Sequence, residues 1–401
     1  MGNKNRSVHL KRIVLERPRI AIIIASFQGG GAERAMLNFA RGAIALGHSV
    51  DVLVISASGP LMESVPAAAR VINLNCSRAA LALPGLIKYL QREKPAALYA
   101  TVAHVNTLAI IAAKLSGSPA KVIVRESSAP SAEQIHTASA RITHALSHAL
   151  YRYSDGIIAV SNGVRDKLAS LMPAAAEKIR VLPTPVIDEY IFSLAEGEIE
   201  HPWLKNRELP VILGAGRLVE EKNFALLIRA FQAVVRRRPA RLVILGEGRL
   251  RSSLTELIDR LDLNHSVSMP GFRVNPFPYL KHCDLFVLSS VSEGMPNVLL
   301  QAMSFGTPVV ATDCQSGPRE CLSDGYYGDL VPLNDPASLS EAMLRSIDSH
   351  RRNDAAAYVM QNYSVSAATK AYLSLAGIGT ISRDTAPRNE VPLLAGFEAV
   401  Q

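Results

Sequence analysis

The fold is decided by residues 19–55, which read RIAIIIASFQGGGAERAMLNFARGAIALGHSVDVLVI. A β-branched run at 20–25 predicts a buried strand, and a glycine turn follows it. Apolar residues then recur at helical spacing up to Leu46, and Gly47 suits the position just after a helix. A second apolar run at 50–55 completes a βαβ unit, which predicts a parallel sheet.

The same alternation of strands and helices continues in two blocks, separated by Pro183, Pro185 and a polar, irregular stretch at 188–210. Because 401 residues exceed what one hydrophobic core usually serves, we expect two domains. The predicted organisation is a basic flexible tail at 1–18, an α/β domain at 19–187, a linker at 188–210, a second α/β domain at 211–355, a helical segment at 356–379 and a disordered tail at 380–401.

Composition excludes several classes of protein. The longest apolar candidate, Ile20 to Phe27, is far short of the ~18 residues needed to cross a bilayer. The four cysteines show no C-x-x-C spacing, which fits a reducing cytosol. Most of the net charge of +8 lies in residues 1–19, whereas a nucleic-acid binder spreads basic residues over its folded domain. We therefore expect a cytoplasmic protein, with peripheral attachment to the inner face of the membrane left open and no nucleic-acid partner.

The glycine turn Gly29-Gly30-Gly31 lets backbone N–H groups approach a phosphate or a sugar. A dinucleotide fingerprint is disfavoured because Arg34 stands where a third glycine should permit close packing. The second block has Gly246-Glu247-Gly248, with Arg251 at the corresponding place. Nicotinamide and flavin cofactors are therefore not expected, and the absence of G-x-x-x-x-G-K-[ST] disfavours a P-loop enzyme.

Two loops of the second block carry charge at predicted carboxyl ends of strands. Arg217 and Lys222 follow the strand predicted at 211–215, where two cations suit a diphosphate, although solvated loops also hold such residues. Residues 289–306 read SSVSEGMPNVLLQAMSFG, in which Pro296 can start a helix whose first amides bind an anion. Glu293 lies just outside that helix, and Gln301 falls near the face of Asn297.

These motifs, in this order and spacing, resemble those of the retaining glycosyltransferases of family 4, which have the GT-B fold. The resemblance rests on the S-x-x-E-G-M-P-N-V-L-L-Q-A-M segment, the G-R-x-x-x-x-K-N loop and the L-V-I-L-G-E-G strand, and it covers about residues 19–375. It implies an α/β fold of two facing Rossmann-like domains, each a mostly parallel sheet flanked by helices.

The resemblance also implies roles in the second block. Glu293 matches the first acid of the family's E-x7-E motif, which contacts the transferred sugar, with Gly294 beside it. Gln301 stands where the family usually has a ribose-binding Glu, so a neutral hydrogen bond replaces a charge-assisted one. The donor diphosphate is expected to bind Arg217, Lys222 and the start of the helix, at Asn297, Val298 and Leu299. The loop with Phe272 and Arg273 is expected to bind the base.

In the first block, Gly30 and Gly31 are expected at the donor sugar. His104 is similar to the family's histidine at the mouth of the active site, and a rim residue without a role is the alternative. Arg125 and Glu126 are expected on the acceptor side. The implied partners are a nucleotide sugar, UDP-linked by family frequency, and a glycan or polyisoprenyl-linked acceptor.

No metal or other cofactor is expected. His144 and His148 lie at i and i+4, but no carboxylate completes a metal set and the chain has no D-x-D. Arg141, His144, His148 and Arg152 form a basic helical stripe that suits either solvent or an anionic membrane surface. Two alternatives to transfer remain: a nucleotide-sugar epimerase or phosphorylase on the same fold, and a non-catalytic module that binds nucleotide sugars.

Overall fold

A computed structural model of the chain describes residues 18–28, 30–128, 145–347 and 353–379. The tails predicted at 1–18 and 380–401 fall outside these ranges except for Pro18. Gly29, Arg141 and His144 also lie outside the described residues.

The first half contains a seven-stranded sheet in the order β3-β2-β1-β4-β5-β6-β7, and its paired strands are parallel. Its strands are β1 Ile20–Ile24, β2 Val50–Val54, β3 Arg70–Asn73, β4 Ala97–Thr101, β5 Lys121–Glu126, β6 Gly156–Ala159 and β7 Ile179–Val181. The α-helices bounded within the described residues of this half are α1 Gly31–Ala45, α2 Leu83–Glu93, α3 Ala103–Ser116 and α4 Asn162–Leu171. Residues 145–150 are helical as well.

The second half contains a six-stranded sheet in the order β10-β9-β8-β11-β12-β13, again with parallel pairing. Its strands are β8 Val211–Ala215, β9 Arg241–Leu245, β10 Val267–Gly271, β11 Leu285–Leu288, β12 Val309–Thr312 and β13 Asp329–Val331. The helices from residue 189 onward are α5 Glu189–Ala195, α6 Pro202–Asn206, α7 Phe224–Arg237, α8 Arg251–Arg260, α9 Phe277–His282, α10 Asn297–Ser304, α11 Pro318–Cys321, α12 Pro336–Ile347, α13 Asn353–Asn362 and α14 Val365–Leu375.

The central strands of each sheet are buried on both faces, which explains their continuous apolar residues, whereas the edge strand β3 is largely exposed. In β1, Ile20, Ile22 and Ile24 pack into one apolar cluster, whereas Ala21 and Ile23 pack into a second cluster on the other face. The strands of the second half divide between two further clusters in the same way. The predicted α/β fold with two parallel-sheet halves is confirmed.

The stretch at 188–210 differs from the irregular linker predicted there. It forms α5 and α6, whose Ile191 and Leu204 pack in one buried cluster with Leu213 of β8. The stretch reads as polar because these two short helices bury only Ile191, Ala195 and Leu204 and leave their other residues partly or fully exposed. The segment thus contributes to the core of the second half.

The strand orders place two crevices at the carboxyl ends of the sheets. In the first sheet the order reverses between β1 and β4, and in the second between β8 and β11. Open parallel sheets bind ligands at such switch points. The loops that leave these four strands carry the glycine turn, His104, Arg217 and Glu293 respectively.

Candidate functional site

The centre of the candidate site is an ion pair between Lys222 and Glu293. Lys222 Nζ lies 2.5 Å from Glu293 Oε1, and both side chains are largely buried. Ser290 Oγ donates a hydrogen bond of 2.7 Å to the same carboxylate oxygen. The two charges predicted for separate loops therefore meet at the carboxyl ends of β8 and β11.

Side chains around the pair hold the backbone of both loops. Ser289 Oγ donates to the carbonyl of Lys222 at 2.8 Å, and Ser316 Oγ donates to the carbonyl of Glu293 at 2.6 Å. The Val291 N–H donates to the carbonyl of Glu221 at 2.9 Å. Because these bonds fix the backbone on either side of the charges, the lysine and the glutamate are held close together before any ligand binds.

Helix α10 begins at Asn297 beside this pair, and its N-cap residue, Pro296, provides no side-chain cap. The amides of Asn297 and Val298 therefore lack an acceptor within the helix and can bind an anion, whereas the Leu299 N–H donates to the carbonyl of Pro296 at 2.9 Å. Asn297 Nδ2 donates to the carbonyl of Gly31 at 3.1 Å, which joins the starts of α10 and α1. Val298 and Leu299 occupy the same first turn, and their role at the diphosphate stays a prediction.

Arg217 follows β8 with an exposed side chain, and within the described ranges its guanidinium has no hydrogen-bond or ion-pair partner. Its loop is fixed by close backbone contacts. Gly246 has φ +137, and a Cβ there would lie 1.9 Å from the carbonyl oxygen of Gly216. Gly246 therefore serves the packing of this loop, and Arg217 remains available to a ligand.

The predicted glycines lie where the two halves approach each other. Gly30 is the N-cap of α1 and Gly31 its first residue, and α1, like α10, has no side-chain cap. A Cβ on Gly294 would lie 1.7 Å from the carbonyl oxygen of Ser127 in the first half. Only glycine fits at position 294 in this arrangement.

His104 lies in the first turn of α3 with an exposed side chain. Partial desolvation by the surrounding protein lowers its pKa, which favours the neutral imidazole at neutral pH. The residue before this helix, Val102, has φ +67 and ψ 138, a conformation that is rare for a β-branched residue. Nothing in the sequence signals this strain.

The predicted base-binding loop follows β10, an edge strand absent from the sequence prediction. Phe272 is exposed there, while Arg273 Nε donates to Tyr279 Oη at 3.2 Å. Arg34 of α1 donates to the carbonyl of Val274 at 3.2 Å, and desolvation lowers its pKa. Arg34, noted in the sequence only as a departure from a glycine motif, thus contacts this loop from the other half.

Gln301, the predicted ribose contact, lies on α10 one turn after Asn297 and is buried. Among the described residues its side-chain amide has no hydrogen-bond partner. An amide with both groups unengaged can present its carbonyl and its NH₂ to a ribose. The structure thus leaves Gln301 chemically able to take the role that the resemblance gives it.

Arg125 and Glu126, the predicted acceptor-side pair, are buried at the end of β5. Arg125 donates to Tyr372 Oη and to Thr184 Oγ1, both at 3.2 Å. Glu126 accepts hydrogen bonds from Tyr151 Oη and from Asn106 Nδ2, and burial raises its pKa to about 7. Both side chains are engaged within the protein, so direct contact with an acceptor requires a rearrangement.

The described residues offer no further chemistry at this site. Burial raises the pKa of Cys314, close to Glu293, to about 12, so its thiol stays protonated and is a poor nucleophile. The described ranges contain no group of three or more His, Cys, Asp or Glu residues able to hold a metal ion.

The helices in those ranges also include none long and apolar enough to span a membrane. Of the basic stripe, His148 and Arg152 are described, and the Arg152 guanidinium lies 4.8 Å from the centre of the Tyr153 ring.

Comparison with known proteins agrees with this geometry. A model described as Glycosyltransferase Family 4 matches residues 29–190, and one described as Glycosyl transferases group 1 matches residues 209–349. The N-acetylgalactosamine-N,N'-diacetylbacillosaminyl-diphospho-undecaprenol 4-alpha-N-acetylgalactosaminyltransferase of Campylobacter jejuni is 29% identical over 81% of this chain and 89% of that protein. A glycosyltransferase of Methanocaldococcus jannaschii is 36% identical over 47% of this chain and 49% of its own length, so the chain spans about half of this relative.

Solved structures share the fold at low sequence identity. Anabaena HepE in complex with UDP-glucose is 19% identical, with a TM-score of 0.74 over 89% of this chain and 100% of that one. WaaG, a glycosyltransferase involved in lipopolysaccharide biosynthesis, gives a TM-score of 0.65 at 17% identity, over 89% and 97% of the two chains. The fold and the site define a GT-B glycosyltransferase. The chain belongs to the glycosyltransferase family that the two matching models describe.

Proposed function

We propose that this glycosyltransferase moves a sugar from a UDP-linked donor to a glycan or a lipid-linked acceptor, with retention of anomeric configuration. The reaction would serve the synthesis of a polysaccharide, a lipopolysaccharide or another glycoconjugate. The observation that carries the proposal is the convergence of Lys222, Glu293, the exposed Arg217 and the uncapped start of α10 at one switch point.

The chemistry of transfer explains this arrangement. When the bond between the sugar and the nucleotide breaks, negative charge develops on the departing diphosphate and positive charge on the sugar ring. Arg217, Lys222 and the amides from Asn297 onward stabilise the diphosphate electrostatically, which supports leaving-group departure without a metal ion. Glu293 lies beside the sugar position and stabilises the positive ring. The acceptor hydroxyl attacks from the face that the diphosphate leaves and passes its proton to that diphosphate.

The proposed acceptor class rests on a relative. The name of the Campylobacter jejuni relative gives an undecaprenol-linked diphospho-sugar as its acceptor, and that protein matches over most of both chains. A lipid-linked acceptor would place the enzyme at a membrane surface. The exposed Arg152 and Tyr153 suit such a surface, because cationic and aromatic side chains both favour the anionic interface.

Thermal stabilisation by nucleoside diphosphates tests the donor site. UDP at 100 times its dissociation constant should add about 2.7 kcal/mol to the free energy of unfolding, a shift that is easily measured. The double variant Arg217→Ala/Lys222→Ala should lose this shift. The variant Arg237→Ala/Lys281→Ala removes the same charge from two ion pairs of the second half and should retain it.

The transfer step needs a second measurement. Release of UDP from the UDP-sugar should depend on added acceptor, whereas an epimerase would convert the donor without one. If UDP stabilised the wild type and the double variant equally, the diphosphate site would be wrong. If the donor bound but no acceptor ever caused UDP release, the non-catalytic alternative would replace the proposal.

A further inference from the structure

The carboxylate of Glu320 joins the two halves of the molecule and is not part of the Lys222–Glu293 ion pair. Glu320 of α11, in the second half, accepts three hydrogen bonds from the start of α4 in the first half. Asn162 donates through its backbone N–H and its side-chain Nδ2 to Oε2, both at 3.0 Å, and the Gly163 N–H donates to Oε1 at 3.3 Å.

This contact completes the cap of α4. The first N–H groups of a helix lack internal acceptors, and the N-cap Ser161 satisfies only that of Val164, at 3.3 Å. Glu320 supplies the acceptors for the N–H groups of Asn162 and Gly163. Its negative charge also interacts favourably with the helix dipole. A helix of one half is thus capped by a side chain of the other.

The segment before Glu320 leads directly to the candidate catalytic loop. Ser316 Oγ donates to the carbonyl of Glu293 at 2.6 Å. Gly317 has φ +88, and a Cβ there would lie 2.9 Å from the carbonyl oxygen of Gly294. On the opposite side, a Cβ on Gly163 would lie 2.4 Å from Ser316 Cβ. Residues 316–317 are therefore packed between α4 and the loop that carries Glu293.

We propose that Glu320 is a positioning residue, which locks α4 onto the 316–320 segment and thereby fixes the Glu293 loop. The catalytic part of this inference rests on the proposed sugar transfer. The structural part does not rest on sugar transfer, because it concerns only how rigidly two backbone segments are held. The lock predicts that losing Glu320 loosens both segments together.

Hydrogen exchange of the full chain tests the structural part. Glu320→Ala should speed amide exchange in peptides covering 161–164 and 291–297 by about tenfold, or about 1.4 kcal/mol, because the charge-assisted bonds to Glu320 are lost. Gly163→Ala, which inserts a methyl group against Ser316, should have the same effect. Glu341→Ala, which removes an exposed carboxylate paired with Arg237, is the control and should change neither peptide.

Steady-state kinetics with a UDP-sugar test the catalytic part. Glu320→Ala should lower kcat about tenfold and leave the donor KM and UDP affinity within about twofold, because Arg217 and Lys222 lie outside the two loosened segments. Glu320→Gln keeps one acceptor oxygen and should restore part of kcat. A global loss of stability would instead show as a lowered melting temperature and faster exchange throughout the chain.

Unchanged exchange in both peptides of Glu320→Ala and of Gly163→Ala would overturn the lock, whatever the enzyme does. Faster exchange with an unchanged kcat would overturn the positioning role. If the wild type made no product with any acceptor, the proposed function would fail, and the exchange result alone would still decide whether the lock exists.

Discussion

Val102, at the end of β4, adopts a strained backbone conformation. Val102, between β4 and α3, has φ +67, in a region that costs a residue with a Cβ about 1–3 kcal/mol. This turn begins α3 at the mouth of the candidate site, two residues before His104. The surrounding core thus maintains a strained backbone where the sequence places a candidate catalytic group.

We expect Val102→Gly to be more stable than Val102→Ala, by about 1 kcal/mol. Both changes remove the same packing, but only glycine relieves the strain at positive φ. Chemical denaturation of the two variants measures the difference. At an unstrained helix start, such as Ala103, glycine should be the less stable of a glycine and alanine pair. Equal stabilities of the two Val102 variants would show that the backbone relaxes.

Burial raises the pKa of Glu126 and so makes the free energy of unfolding depend on pH. Its carboxyl group is held by Tyr151 and Asn106, and burial raises its pKa to about 7 from an ordinary value of 4.5. Between these two pH values the folded protein retains a proton that the unfolded chain has released. The free energy of unfolding therefore falls as pH rises through this window.

We expect Glu126→Gln to remove this fall, which amounts to roughly 3 kcal/mol at most. Below about pH 4.5 the contribution to stability is fully present in the wild type, and above about pH 7 it is lost. Denaturation curves at pH 5 and pH 8 for both proteins give the difference. Glu256→Gln on α8 is the control and should follow the wild type. Parallel curves for wild type and Glu126→Gln would contradict a raised pKa.

At the scale of elements, α14 connects parts of the chain that the sequence keeps far apart. This helix follows the second half but packs against α1, and its Tyr372 and Leu373 are buried in the core of the first half. Tyr99 Oη donates to the carbonyl of Tyr372 at 2.9 Å. The first half is therefore complete only when the end of the chain returns to it.

Truncation after Tyr363 should consequently unfold the first half selectively. Losing two fully buried large side chains costs roughly 5 kcal/mol or more, which is comparable to the whole stability of a domain. Trp203, the single tryptophan of the chain, packs against the core of the second half, so its fluorescence reports on that half. Circular dichroism reports on both halves.

In the truncated chain we expect the circular dichroism signal to fall while the Trp203 transition persists. A chain ending at Gly379 keeps every described residue and is the control. Coincident transitions at the wild-type midpoint in both chains would show that α14 adds little to the first half.

For the whole molecule, side-chain contacts join the two halves, and one of them involves Asn297 of the candidate site. Asn297 contacts Gly31, Arg34 contacts Val274, and Glu320 contacts α4, each across the boundary between the halves. These residues lie in loops or in first helical turns that follow the carboxyl ends of strands. Parallel strand order brings these loops to one edge of each sheet, and the facing edges then form the cleft.

The sequence by itself determined the two sheets and the chemistry of the donor loops. The strand at 211–215 was predicted with the bounds the structure shows, and those at 20–25 and 50–55 to within one residue, because strands buried on both faces need continuous apolar residues. Arg217, Lys222 and Glu293 were identified because charges at strand ends form a local pattern. Their binding and catalytic roles stay predictions.

Only the tertiary structure decided which distant segments complete this framework. The helices at 188–210, the return of α14, the reach of Arg34 and the cap by Glu320 have no local signature. Each depends on a contact between residues far apart in the chain, where a few buried side chains or one carboxylate supply the free energy. Periodicity and spacing record what a segment buries on its own sheet, whereas these contacts join segments that only the folded chain brings together.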